Sequence, residues 1–193
     1  MTIATVTSST AVLSVLNPPV LSAVVSSLTH GSAGTFPIPV AWTATSSAPA
    51  KPYPVECRSA STRNLVLTFD KTIGSAQAAL GSGTATVGTP VCSGSQVTVP
   101  LTGVANAQTL VISLSNIAAA DGSVLPAATV ALRVLKGDVN GDGTVNISDI
   151  NRVRASSGSS VTSSNFQFDI NADGSINISD INLVRASSGT TAP

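Results

Sequence analysis

Asp138-Val-Asn-Gly-Asp-Gly-Thr-Val-Asn-Ile-Ser-Asp149 and Asp169-Ile-Asn-Ala-Asp-Gly-Ser-Ile-Asn-Ile-Ser-Asp180 are one twelve-residue pattern written twice. Asp138, Asn140 and Asp142 take positions one, three and five, Gly143 position six, and Asp149 position twelve. Asp169, Asn171, Asp173, Gly174 and Asp180 repeat the arrangement. Oxygen-bearing side chains at alternate positions of a tightly curled loop converge on one point, which suits a hard cation wanting six to eight oxygens. Glycine at position six permits the sharp turn, since without a Cβ it tolerates φ > 0. Position seven, Thr144 or Ser175, offers its backbone carbonyl, so its side chain is free to vary. Asn146 and Asn177 at position nine have three roles open to them: direct ligation, bridging through water, or bracing the loop.

Both loops end in Asp where the usual calcium loop ends in Glu, one methylene longer. The repetition outweighs that departure. Between 138–158 and 169–189, 16 of 21 positions are identical, and no ligand position changes its type of side-chain oxygen. Six of the nine acidic residues of the chain lie in these two loops. Without a cation each loop crowds three carboxylates together, at a cost in like-charge repulsion that mere polar turns would have no reason to bear. Calcium fits better than magnesium, which prefers a tighter octahedron and keeps several waters. The expectation is two calcium ions, one per loop.

Paired loops of this kind, ending in Asp near the end of a chain, resemble a dockerin domain (type I-like, with EF-hand-like loops), and the resemblance covers about residues 137–190. It implies one short helix after each loop and two loop-helix halves packed with near two-fold symmetry. Ser148 or Asp149 is expected to open the first helix. Ile150 with Val153, and Ile181 with Val184, place apolar residues three apart on one face. Ser-Ser-Gly at 156–158 and 187–189 closes each helix after about two turns, too short to be stable alone. Val145 and Ile176 are expected to pair across the pseudo-dyad, and Phe166 and Phe168 to add core area. The resemblance further implies docking onto a cohesin-like protein module through Ile147, Ser148 and Arg154 and through Ile178, Ser179 and Arg185. The alternative for the two isoleucines is packing against the partner half. In both halves Arg-Ala-Ser-Ser-Gly replaces the basic-aromatic stretch usual in the family.

Residues 1–50 carry no charged side chain, and residues 1–136 are rich in Ser, Thr, Val, Ala and Gly. Strand-like runs recur at 20–25, 38–42, 65–69, 84–87, 96–101, 109–114 and 129–135, several alternating in the manner of half-buried strands. Pro100 belongs at a strand end or edge. Seven short strands at this spacing predict an antiparallel sandwich. The stretches 29–36 (Thr-His-Gly-Ser-Ala-Gly-Thr-Phe), 55–59 (Val-Glu-Cys-Arg-Ser) and 101–110 are similar to β modules that precede dockerin-like repeats at the C-termini of secreted bacterial proteins. The expected fold class is therefore a β-sandwich (Ig-like) at 20–136, followed by a small all-α domain of paired calcium loops and helices at 137–190. An uncharged segment, 1–19, precedes them. The last strand is expected to feed straight into the first loop. Since the sandwich has apolar strands of its own, it is expected to stay folded when calcium is removed.

Charged residues make up 9 % of the chain and the net charge is zero, so nothing resembles a nucleic-acid footprint. No stretch reaches the roughly 18 apolar residues of a membrane span. No basic residue precedes Lys51, so a secretory leader is not legible; export is expected to be encoded upstream, or the start codon to be misplaced. An extracellular or cell-surface location is inferred from the calcium loops. Cys57 and Cys92 allow either a disulfide, closing a loop worth about 4 kcal/mol on the chain-entropy model, or two free thiols.

With six Asp given to calcium, only Glu56, Asp70 and Asp121 remain as carboxylates. Nothing brackets them as a glycosidase pair, and neither a nucleophile elbow nor a phosphate loop occurs. His30, the one histidine, is expected in a turn, bonding the backbone. Trp42 and Tyr53 offer either a small sugar-stacking platform or core packing, and core packing is expected. The reading is a non-catalytic calcium-binding docking and structural module. Its rivals are the tail of a secreted polysaccharide-degrading glycoside hydrolase and a surface adhesion module.

Overall fold

The computed structural model describes residues 16–60 and 62–193. Residues 1–15 of the uncharged N-terminal segment lie outside the described residues. Eleven strands are described: β1 (Leu21–His30), β2 (Gly34–Pro39), β3 (Ala41–Thr43), β4 (Val55–Glu56), β5 (Arg63–Phe69), β6 (Ile73–Ser82), β7 (Thr86–Val87), β8 (Val91–Ser93), β9 (Gln96–Thr102), β10 (Gln108–Ala119) and β11 (Val124–Val134). Two helices follow, α1 (Ile147–Ser156) and α2 (Ile178–Ser187), with a short 3-10 turn at Phe166–Phe168 between them. None of these helices is long and apolar enough to cross a membrane.

The strands form two facing sheets. One runs β2-β1-β5-β9-β7, with β8 also on β9; the other runs β3-β11-β10-β6, with β4 beside β11. Every pairing is antiparallel except β4 with β11. The alternation seen in the sequence decides which side chains turn inward. Leu65, Leu67 and Phe69 of β5 and Val97, Val99 and Leu101 of β9 meet Leu110, Ile112, Leu114, Val130 and Leu132 of the opposite sheet in one buried cluster. Each such side chain contributes about 1.5–3 kcal/mol by leaving water, so this cluster holds the sandwich together. Trp42 packs half-buried against it, and Tyr53 is buried, as core packing requires.

Several sequence expectations change here. The 38–42 run is two strands, because the chain crosses between sheets at Val40, whose buried side chain and N–H bond to the Val24 carbonyl (2.9 Å) anchor the crossing. Strand β6 went unread because its Ala, Gly and Ser have low strand propensity; its place comes from the long ladder it makes with β10. Pro100 lies inside β9 rather than at its end. Its carbonyl accepts from Gly88 N (2.8 Å) on the flank where β7 contributes only two residues, so the absent N–H falls where the ladder is ending. Cys57 and Cys92 are both free. Cys57 is buried beside Gln167, while Cys92 sits on β8 against the sandwich core, so the bridge is not made. Burial, first, and the neighbouring Glu56 carboxylate push the Cys57 thiol up to about 12.

Beyond β11 the chain enters the first loop at once. Leu135 already belongs to a second buried cluster with Val145, Ile150, Val153, Val161, Ile170, Ile176, Ile181 and Val184. Phe36 and Val55 of the sandwich pack onto the same cluster. The Phe36 and Phe166 rings stack 5.2 Å apart and nearly parallel. Backbone bonds cross as well, from Ser59 N to Ile170 O (2.7 Å) and from Gly137 N to Cys57 O (2.9 Å).

These contacts speak against a sandwich indifferent to the state of the loops. On chelation, hydrogen exchange is expected to quicken beyond Leu135 and also across 30–36 and 55–59, while β5, β9 and β10 stay protected. Quickening confined to residues beyond Leu135 would restore the simpler picture of independent parts.

Candidate calcium loops and their supports

Each loop folds around its own side chains. Asp138 accepts from Gly141 N (2.8 Å) and Gly143 N (2.9 Å). Asn140 Oδ1 accepts from Asp142 N (2.9 Å), and Asp142 Oδ1 from Thr144 N (2.9 Å). The second loop repeats this: Asn171 Oδ1 accepts from Asp173 N (3.1 Å), and Asp173 Oδ1 from Ser175 N (2.9 Å). Asp149 and Asp180 at position twelve are fully buried. Asp149 accepts from Val139 N (3.0 Å), Asn140 N (3.2 Å) and Asn146 N (2.9 Å), closing the loop on itself.

The position-nine residues brace. Asn146 and Asn177 are the helix N-caps, accepting from Ser148 N (2.8 Å) and Ser179 N (2.7 Å). Asp149 and Asp180 complete a capping box by reaching back to the cap N–H. The helices therefore begin at Ile147 and Ile178, the first of them one residue before Ser148 and two before Asp149, the expected openers. Each has ten residues, nearer three turns than two. Both stop as expected, with Gly158 (φ 89) and Gly189 (φ 88) following.

The two halves exchange backbone partners. Thr144 of the first loop bridges Thr191 beyond α2, and Ser175 of the second bridges Ser160 beyond α1. Val145 and Ile176 lie in one buried cluster, but their backbone bonds go to these flanking segments. Val145 meets Gly189 and Thr190, and Ile176 meets Gly158.

Among the described residues no three carboxylate, imidazole or thiol groups gather into a compact cluster. The donor set nonetheless suits a hard cation. It is all oxygen, and a carboxylate oxygen that accepts one backbone bond keeps a second lone pair. Burial raises the pKa of Asp138, and the Asp149 and Asp142 carboxylates add to it, against the pull of the Gly143 and Gly141 amides. Burial likewise raises Asp180, with Asp169 adding to it. A divalent cation at these oxygens would relieve both costs.

Sequence reading missed what stands behind the second loop. His30 ends β1 fully buried, and its Nδ1 lies 2.8 Å from Asp169 Oδ2; it is no turn residue bonding the backbone. Arg58 pairs with Glu56 (2.7 Å) inside the same region, with Arg63 3.5 Å from the other carboxylate oxygen. Burial alone would raise Glu56, but the hydrogen bond and charge of Arg58, with Arg63 and Ser26, hold it below its usual value. A signal was present: Glu56 and Arg58 are opposite charges two apart in a chain that is only 9 % charged, a spacing that puts both on one face of a strand.

A repeated loop that caps its own helix, with two-fold exchanged bridges, defines a paired loop-helix module. Residues 136–187 match the family model of the dockerin type I domain, so the C-terminal part of this chain carries such a domain, with a β-rich, Ig-like region before it. No curated protein and no solved structure matches the chain. A dockerin is a non-catalytic docking domain; the family binds calcium in general, typically engages cohesin modules, and typically occurs in extracellular or cell-surface proteins.

Removing the Glu56 charge leaves two buried guanidiniums without a counter-ion, so Glu56→Gln should destabilise the chain by about 3 kcal/mol or more. Because the folded pKa of Glu56 is depressed, its stabilisation is complete above the unfolded carboxylate value and fades as pH falls through the folded one. Denaturant unfolding should therefore show a gap between wild type and variant that is wide at neutral pH and narrows on acidification.

Proposed function

We propose that this chain is a calcium-loaded docking and structural module of a secreted or cell-surface bacterial protein, and that its partner is a cohesin-like protein module. The division proposed is 20–136 for the sandwich and 137–190 for the docking domain, after the uncharged segment 1–19. Asp138, Asn140, Asp142, Asp149 and the Thr144 carbonyl would hold one calcium ion, and Asp169, Asn171, Asp173, Asp180 and the Ser175 carbonyl a second. Asn146 and Asn177 serve as braces. Calcium supplies a positive centre that draws each loop closed, and the chain's own residues do the rest. Position-twelve Asp ties the loop to the first turn of its helix, so closing the loop sets the helix direction.

The observation that carries the docking reading is the exposure of Ile147 (61 %) and Ile178 (59 %) in a chain that buries most of its large aliphatic side chains. Neither packs against the partner half. Ser148 and Arg154 beside one, and Ser179 and Arg185 beside the other, are exposed too. Two matching patches, each an apolar anchor with a polar rim, fit a partner surface better than they fit stability. They also stand clear of the sandwich, so docking needs no separation of the two parts.

Calorimetric titration of the metal-stripped chain should count two calcium ions, and Asp138→Ala should remove one while leaving the other measurable. Heat for one ion or none would sink the metal assignment. Recombinant cohesin modules immobilised on a surface should retain the chain in calcium and release it in chelator. Ile147→Asp together with Ile178→Asp should weaken retention several-fold or more, and either change alone far less. Retention indifferent to the double change would place docking elsewhere.

A further inference from the structure

The two loops match in sequence at every side-chain ligand position, yet they differ in what holds their first aspartate. Asp138 has only loop amides, those of Gly141 and Gly143. Asp169 accepts from Gly174 N (2.9 Å) and Asp173 N (3.2 Å), and on Oδ2 also meets His30 Nδ1 at 2.8 Å. Position four differs as well. Gly141 sits at φ 76, where glycine is at ease, whereas its counterpart Ala172 is held at φ 57. A side chain there costs about 1–2 kcal/mol, and the Ala172 amide turns to the Asp169 backbone carbonyl (3.3 Å) instead of its carboxylate. The second loop has thus exchanged its position-four amide for the Asp173 amide, keeping two amide donors on its first ligand, and has gained an imidazole from the sandwich.

That imidazole is fixed from behind. His30 Nε2 lies 3.3 Å from Arg58 Nη1, which also donates to the Phe36 carbonyl at 2.8 Å. Guanidinium nitrogens only donate, so Nε2 accepts, the ring proton is on Nδ1, and Nδ1 donates to Asp169. Phe36 and Phe166 close edge-on around the ring at 5.3 and 5.9 Å, and both ends of the His30–Asp169 pair are fully buried. The β1–β2 turn seats the pair. Gly31 lies so close to the Asp173 carbonyl that a Cβ there would overlap it, and a Cβ on Gly174 would come within 3.0 Å of the His30 carbonyl.

We propose that His30 is a positioning residue for the second calcium loop: it orients the Asp169 carboxylate from the sandwich, so that two loops of matching ligand sequence bind calcium with unequal affinity. The inference rests on the calcium reading above. Groups that orient a metal ligand in this way are typically worth 10–100-fold in affinity.

The test is calcium titration of the full chain in two backgrounds, Asp138→Ala, which leaves the second loop, and Asp173→Ala, which leaves the first. His30→Met, which fills the space without donating, should weaken the second loop about 10–100-fold and leave the first unchanged. His30→Gln, which restores a donor, should recover part of the loss. Imidazole nitrogen shifts of the wild-type chain give a readout that needs no variant, and should place the ring proton on Nδ1. Equal weakening of both loops, no weakening of the second, or a proton on Nε2 would each overturn the proposal. A wild-type chain that bound no calcium would instead remove the reading on which it rests.

Discussion

Arg58 is fully buried and finds an acceptor for each of its five N–H groups without help from solvent. Its Nε and one Nη2 hydrogen go to the Glu56 carboxylate, the other Nη2 hydrogen to the Ser26 carbonyl, and the Nη1 pair to the Phe36 carbonyl and His30 Nε2. These partners belong to β1, β2 and β4, two of them edge elements of different sheets. Such a group is costly to bury and costlier to leave half-satisfied. The sandwich edge, the β1–β2 turn and the imidazole facing the second loop are therefore fixed together or not at all. Geometry at Asp169 is inherited from a charge pair some distance away in the other part of the chain.

This linkage explains why so short a helical unit can be ordered. Helices α1 and α2, at ten residues each, are below the length at which helices persist alone. Their capping boxes supply about 1 kcal/mol each. The remainder has to come from burial, and the nine buried aliphatic residues of the second cluster are few for an independent core. Phe36 and Val55 enlarge it from the sandwich side, and the Phe36–Phe166 stack lies directly against the His30 ring. The sandwich thus completes a core that the helical unit is too small to build alone.

What could be read from the sequence was what local spacing encodes. The loops were legible because side-chain oxygens at fixed offsets are a local code, and β5 and β9 because strict alternation is one too. Strand β6 was not, since Ala, Gly and Ser carry little preference and its strand state comes from β10 alongside. The crossing at Val40 escaped for the same reason: an apolar run does not say which sheet each half joins. Asn146 has three roles open to it in the sequence, and only the backbone of the finished helix chooses among them. His30 and Arg58 were unreadable in function because their partners lie far along the chain, at Asp169 and Phe36. The three stretches similar to β modules that precede dockerin-like repeats all border the C-terminal unit. Residues 29–36 and 55–59 form the seat of the second loop, and Asn106 in 101–110 accepts from Lys136 N (2.6 Å) just before the first.

The repeat also shows how sequence identity can coexist with physical inequality. The five differences within 138–158 and 169–189 include Gly141 against Ala172 and Arg152 against Leu183. Arg152 is exposed, whereas Leu183 is half-buried on the shared core, so the second half is the one more deeply engaged. The surfaces offered outward are nevertheless kept alike, with Ile147 and Ile178 equally exposed. Two of the five differences, Val139 against Ile170 and Val145 against Ile176, exchange one aliphatic side chain for another in or against the shared core, while Gly141 and Arg152 are exposed and their counterparts Ala172 and Leu183 are half-buried. A module shaped only for its own stability would have no reason to keep two exposed isoleucines.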